Sequence, residues 1–260
     1  MRKLIMAGLV LALTVGVVSC DSSATSADDV AQLNKNAVSG DHDGVNGANG
    51  HGSKGVTLKS IGSFELSSDM GGKRQQHAAV LLPDGRVLVA AGADTGGANL
   101  NKPMHYSSEI FDPATGTWTS TGDMTSERDY FDGVLLADGR VMVFGGFSER
   151  YALHATTEIW NPGTGEWVSG PKMSEARAAH TATRLSDGRV LIVGGGKVDG
   201  PYLKTAEIYD PATNTFSSAG ELTKSRQEHT ATLLQDGRVL VVGGRGKRKE
   251  AEIYDPTTNS

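Results

Sequence analysis

The chain has 260 residues, 34 of them glycine and one cysteine, with a formal net charge of −5. An acidic balance argues against a nucleic-acid-binding protein, which needs a basic surface to meet phosphate. A single cysteine excludes an internal disulfide and a metal site built from several thiolates.

In chain order, Met1-Arg2-Lys3 makes a basic start, and Leu4 to Val18 is an apolar run short for a membrane span. The run ends at Val17-Val18-Ser19-Cys20, which resembles a bacterial lipobox. That resemblance implies cleavage before Cys20 and diacylation of its thiol. Residues 1–20 are therefore read as a lipoprotein signal peptide and Cys20 as the lipidation site. The expected location is the bacterial cell envelope, lipid-anchored and facing the periplasm or the cell surface. An ordinary signal peptide is the alternative. Residues 21–55 are rich in Asp, Ser, Ala, Asn and Gly, with GDHDGVNGANGHG at their centre. Such a stretch cannot bury enough apolar surface to fold and reads as a disordered tether.

Residues 56–260 are organised by a repeat. Arg74, Arg128, Arg177 and Arg226 each stand twelve residues before the arginine of an Asp-Gly-Arg triplet, whose aspartates are 84, 138, 187 and 236. The intervals are 54, 49 and 49 residues, and a period near fifty marks a propeller or a solenoid. In the fourth copy two β-rich runs, His229 to Leu234 and Arg238 to Val242, flank Asp236-Gly237. This pattern predicts a hairpin with a type I′ turn. Gly243-Gly244 breaks the second strand, and Glu252-Ile253-Tyr254 forms a third that stops at Asp255-Pro256. In the earlier copies Trp118, Trp167 and Phe216 open a fourth strand. One copy is thus a four-stranded antiparallel sheet, whose apolar face needs a neighbour to cover it.

Arg-x-x-His, the di-glycine, Glu-Ile-Tyr-Asp-Pro and the following aromatic together resemble the kelch repeat over about residues 60–260. The resemblance implies an all-β, kelch-type β-propeller with four visible four-stranded blades. Phe64 precedes Arg74 by ten residues, the offset that Trp118, Trp167 and Phe216 keep from Arg128, Arg177 and Arg226. The N-terminal strand is therefore expected to complete the last blade and close the ring, with membership of a larger ring as the alternative.

Residues that recur in every copy are explained by the repeat. Glu109, Glu158, Glu207 and Glu252, with the four Arg-x-x-His arginines, read as an ion pair or backbone clamp inside each blade. His77, His180 and His229 share a position with Phe131, which suits packing better than ligation. The loops between strands two and three vary, with 17, 12, 12 and 8 residues separating the last glycine from the glutamate. Clustered loops on a rigid scaffold are where binding concentrates. The candidate rim comprises Lys102, His105 and Tyr106; Arg150, Tyr151 and His154; Lys197, Tyr202 and Lys204; and Arg245, Lys247 and Arg248. Tyrosines among cations suit an acidic partner with flat apolar or sugar faces; charged tips serving only solubility are the alternative.

Two functions follow. One is a monomeric, lipid-anchored module that binds a protein or an acidic glycan. The other is a carbohydrate-active enzyme such as the sialic-acid isomerases that share the kelch fold. Galactose-oxidase-like relatives use copper with a tyrosine–cysteine crosslink, and the propeller here has no cysteine. No cofactor, metal ligand or catalytic residue is therefore assigned; Glu149 with His154 is a weak pair.

Overall fold

The computed structural model describes residues 66–94, 104–148, 152–196, 201–245 and 249–260. Cys20, the tether and Phe64 lie outside them. All regular structure among the described residues is β-strand, arranged in four antiparallel sheets. Blade 1 is β1 (Ala78–Leu81), β2 (Val87–Ala90), β3 (Ser108–Asp112) and β4 (Thr117–Thr121). Blade 2 is β5 (Asp132–Leu135), β6 (Val141–Phe144), β7 (Thr157–Asn161) and β8 (Glu166–Ser169). Blade 3 is β9 (Thr181–Arg184), β10 (Val190–Val193), β11 (Thr205–Asp210) and β12 (Thr215–Glu221). Blade 4 is β13 (Thr230–Leu233), β14 (Val239–Val242) and β15 (Ala251–Tyr254). Each sheet is a meander in chain order. The first strands lie against one another, β1 on β5, β5 on β9 and β9 on β13, so the blades follow one another about an axis. The fold is a kelch-type, four-bladed propeller.

The hairpin turns differ from the expected type I′. Gly85 N–H donates to the Leu82 carbonyl and Leu82 N–H to the Arg86 carbonyl, at 3.0 and 2.8 Å. Only the glycine of the pair has positive φ, 89° at Gly85 and 87–90° in the other copies. The loop is therefore a three-residue type I turn followed by a glycine bulge. The aspartate accepts the backbone N–H and the Nε–H of the arginine two residues on, at 3.1 and 2.8 Å for Asp84 and Arg86. That ties the Asp-Gly-Arg triplet together at the exposed end of every hairpin.

The recurring arginine and glutamate are a clamp inside each blade. Arg128 Nη1 donates to the Gly145 and Thr156 carbonyls at 2.8 and 2.9 Å, and its Nη2 to Glu158 Oε1 at 3.0 Å. Glu158 Oε2 accepts the Thr125 N–H at 2.6 Å. Arg74, Arg177 and Arg226 make equivalent bonds to Glu109, Glu207 and Glu252. The guanidinium thus joins the end of strand two to the start of strand three, while the glutamate holds the segment entering the arginine.

The aromatic opening each fourth strand pairs with the aromatic of strand three. Phe111 meets Trp118 at 5.0 Å, Trp160 lies in register with Trp167, and Tyr209 meets Phe216 at 5.3 Å.

The apolar core lies between blades. Val80, Leu88 and Ala90 of blade 1 pack with Val141, Val143 and Trp160 of blade 2. Met142, Phe144 and Ile159 meet Val190, Ile192 and Tyr209, and Leu191, Val193 and Ile208 meet Val239, Val241 and Tyr254. Period-two alternation sends alternate residues of each strand to opposite interfaces, which is why the strands are apolar on both faces.

Removing one partner of a buried pair leaves a desolvated charge, so Glu158→Ala is expected to cost about 3–5 kcal/mol. Asp138→Ala, which breaks an exposed pair, is expected to cost below about 1 kcal/mol. Urea denaturation of the two variants measures the difference, and equal losses would contradict the clamp's role.

Candidate functional site

The end of the axis where the chain enters each innermost strand carries a repeated backbone feature. Gln76, Tyr130, Ala179 and Glu228, two residues after each clamp arginine, have φ of 49, 51, 52 and 53°. This left-handed conformation costs a non-glycine residue about 1–2 kcal/mol. The chain accepts that cost four times at one position, with four different side chains.

Backbone bonds fix these residues side by side. Ala179 N–H donates to the Tyr130 carbonyl at 2.7 Å, and Glu228 N–H to the Ala179 carbonyl at 2.8 Å. The residue before each pairs with the residue after the di-glycine: Gln75 with Ala93, Asp129 with Phe147 and Ala178 with Gly196. Arg245 N–H likewise donates to the Gln227 carbonyl at 2.9 Å. The side chains at the mouth therefore come in neighbouring sets. Tyr130 and Phe147 stand edge to face at 6.0 Å. Arg245 Nε donates to Glu228 Oε2 at 2.7 Å. In blade 3 the equivalent positions hold the small residues Ala179 and Gly196. The bond to Glu228 raises the Arg245 pKa, and the nearby Tyr202 and Tyr130 hydroxyls add to the effect.

The described rim residues fall in two classes. His105 and His154 are repeat equivalents, joined by Leu203 in blade 3: each donates its backbone N–H to the second residue of the di-glycine at 2.7–2.9 Å. His105 Nε2 lies 2.8 Å from Asp94 Oδ1 and 3.1 Å from the Lys73 carbonyl. Burial, with Arg128 nearby, lowers the His154 pKa. Tyr202 bridges to Gly196. Tyr106 and Lys204 present their carbonyls to the Met124 and Leu222 N–H groups and their side chains to solvent. Lys102, Arg150, Tyr151, Lys197, Lys247 and Arg248 lie outside the described residues, as does Glu149. Sequence reasoning missed Gln76, Tyr130, Ala179 and Glu228 because they sit inside the Arg-x-x-His motif. Their signal is variation between two recurring residues.

The family model that matches is the KLHDC2/KLHL20/DRC7 Kelch-repeats domain, over residues 57–255. The chain belongs to the kelch-repeat family. No curated protein matches it. Kelch propellers commonly mediate protein interactions, and a mouth of varied side chains on a repeated backbone suits that use.

Beneath this kelch mouth, titratable groups sit at the blade interfaces. Burial and Arg226 hold His229 down at about 4, and its Nε2 lies 3.0 Å from Thr181 Oγ1 of blade 3. Burial, with Arg177 and His229, lowers His180 well below the usual range. Asp132 accepts the Ala182 N–H of blade 3 and the Gly133 N–H, both at 2.8 Å. Burial outweighs those bonds and pushes its carboxyl up to about 6.

The signs are opposite. His229 ionises near 6.5 in the unfolded chain but near 4 in the fold. Its neutral form therefore favours the fold above 6.5, and that stability, about 3 kcal/mol, is lost as pH falls from 6.5 to 4. The Asp132 contribution is present below 3.8 and is lost as pH rises through about 6. Thermal unfolding across pH 4–7 is expected to show a shallower acid loss in His229→Phe and a steeper one in Asp132→Asn.

Proposed function

We propose that this kelch propeller is a lipid-anchored envelope module that binds an acidic segment of a protein partner at its axial mouth. The observation that carries the reading is the arc of left-handed residues, where Tyr130, Ala179 and Glu228 stand in hydrogen-bonded succession. Glycine would relieve the backbone at all four positions, yet side chains of four kinds are kept. Aromatic faces at Tyr130 and Phe147 supply contact area at small entropic cost. Arg245 and the exposed Lys204 supply cations, with Glu228 fixing the Arg245 guanidinium. The rim residues Lys102, Arg150, Lys197, Lys247 and Arg248 extend the same basic character in sequence. Anchoring follows from the lipobox resemblance and makes Cys20 the attachment point.

Two measurements test this reading. Detergent-solubilised full-length protein is expected to retain an envelope protein. Tyr130→Ala with Arg245→Glu is expected to lower retention by about tenfold or more, as loss of a hot-spot pair does. The exchange Glu228→Arg with Arg245→Glu keeps an ion pair but moves its charges, and should weaken retention without unfolding the chain. Equal retention by the native chain and both folded variants would remove the mouth as the site. Cys20→Ser is expected to release the chain from the membrane fraction, and unchanged fractionation would remove the anchor.

A further inference from the structure

Two internal interfaces join neighbouring blades through the first residue of the innermost strand. In each blade that residue stands opposite the last residue of strand two, Asp132 opposite Phe144 and Thr181 opposite Val193. The position holds Ala78, Asp132, Thr181 and Thr230, so blade 2 alone places an acid there. The preceding position holds His77, Phe131, His180 and His229.

The rings of His180 and His229 occupy equivalent places. A Cβ at Gly145 would lie 3.0 Å from His180 Cε1, and one at Gly194 would lie 3.1 Å from His229 Cε1. Each ring thus reaches back to the preceding blade. His229 Nε2 meets the Thr181 hydroxyl of blade 3 at 3.0 Å. The same step back from His180 leads to the side chain of Asp132 in blade 2. There the carboxylate is turned aside, its two oxygens accepting the Gly133 and Ala182 N–H groups at 2.8 Å. His180 is 6% exposed, and among the described residues neither of its ring nitrogens has a hydrogen-bond partner. Burying a polar group without a partner is costly, and here the unpartnered group stands one repeat step from a carboxylate.

We infer that Asp132 and His180 form a proton-operated latch between blades 2 and 3. A proton taken up from solvent by the Asp132 carboxylate creates an O–H that cannot point at the N–H groups now bonded to it. Turning that oxygen toward His180 gives the O–H a ring nitrogen as its acceptor, and the Ala182 N–H loses its bond. The slot passes from one negative charge to none. Burial favours that change, in keeping with a carboxyl pushed up to about 6.

The charged groups around the slot keep the proton nearer the oxygen. Burial, Arg177 and His229 all oppose a positive charge on His180. Arg177 is bound to Glu207, Arg226 beside His229 to Glu252, and Arg128 before β5 to Glu158. His229 is held at about 4 and already has Thr181. β6 and β10, which pack in the same cluster, carry no titratable side chain. The interface between blades 1 and 2 has Ala78 and Phe131 at the two positions, so it has no such latch.

The latch lies at the root of the mouth. Tyr130 precedes Asp132 by two residues and Ala179 precedes His180 by one, and the Ala179 N–H bonds the Tyr130 carbonyl at 2.7 Å. Acid therefore reaches the mouth through this pair, whatever the mouth binds.

NMR of detergent-solubilised full-length protein, labelled with carbon-13 and nitrogen-15, tests this between pH 7 and 5. The Asp132 carboxyl carbon and His180 Nε2 are expected to shift with one common midpoint at about 6. Over the same step the Ala182 amide should lose about two- to tenfold in exchange protection, corrected for intrinsic rate, as loss of one hydrogen bond implies. Asp132→Asn keeps an acceptor for Ala182 but cannot titrate, and Asp132→Thr supplies the residue that blade 3 carries. In both variants His180 Nε2 should stay still over this range. A His180 ring that does not move in the native chain would overturn the proposal, as would a shift that persists in either variant.

Discussion

The arginine–glutamate clamp is the interaction on which the rest of the structure depends. Strands of mostly four or five residues make few ladder bonds, and the carbonyl of the residue just after strand two (Ala91, Gly145 and Gly194) leaves the sheet with no strand partner of its own. A guanidinium at 2.7–3.1 Å supplies that partner in blades 1, 2 and 3 and reaches strand three with the same nitrogen. Burying so large a cation is costly, and desolvation indeed lowers the Arg128 pKa against the pull of Glu158. Repetition answers that cost with the same glutamate in every copy, its second oxygen holding the backbone three residues before the arginine. The clamp therefore fixes the arginine and all that follows in the next few residues. The left-handed residue comes two positions later and the interface histidine three, so site and packing both hang from it.

The same repetition explains where stability resides. A blade has two apolar faces and no core of its own, so each blade is stabilised by its neighbours, as in other quasi-one-dimensional arrays. The interface histidines belong to this arrangement. The ring of His180 lies beneath Gly145, where a Cβ would come within 3.0 Å of its Cε1 and 2.2 Å of the Arg177 carbonyl. A small residue stands there in every blade, glycine in three and Ala91 in blade 1, and the imidazole fills a slot that blade 2 fills with Phe131. An aromatic ring of either kind satisfies the packing; only the histidines make it sensitive to acid.

Much of this was legible in the sequence because it recurs. The period, the Arg–Glu pairing, the aromatic opening each fourth strand and the packing role of the histidines all repeat and were read as scaffold. The hairpin turn was misread because Asp-Gly occurs in both turn types. What separates them is the register of the flanking strands, which places Pro83, Ala137, Ser186 and Gln235 inside the loop. His105 and His154 were read as loop residues because the preceding segments differ by five residues in length, which hides their common place beside the di-glycine. The left-handed arc was hidden for the opposite reason. It lies inside the best-marked motif of the repeat, where the eye credits the flanking arginine and histidine and passes over the residues between.

Two kinds of positive-φ position meet at the axial mouth, and the contrast between them says what the fold permits. At Gly145 and Gly146 the direction a Cβ would take is blocked by neighbouring carbonyls within 2.2 and 2.8 Å, so glycine suits both, though blade 1 takes Ala91 at the first of them with φ of 53°. Tyr130 and Glu228 have a similar φ, yet they are half-exposed and their side chains find room beside Phe147 and Arg245. Blade 3 shows the limit of that freedom. A Cβ at Gly196 would meet the Pro201 carbonyl at 2.6 Å, beside the bridge between Gly196 and Tyr202. Blade 3 thus keeps small residues at Ala179 and Gly196, while the neighbouring blades carry larger side chains at the same positions. A scaffold that fixes the floor and leaves the walls open separates folding from recognition at adjacent residues.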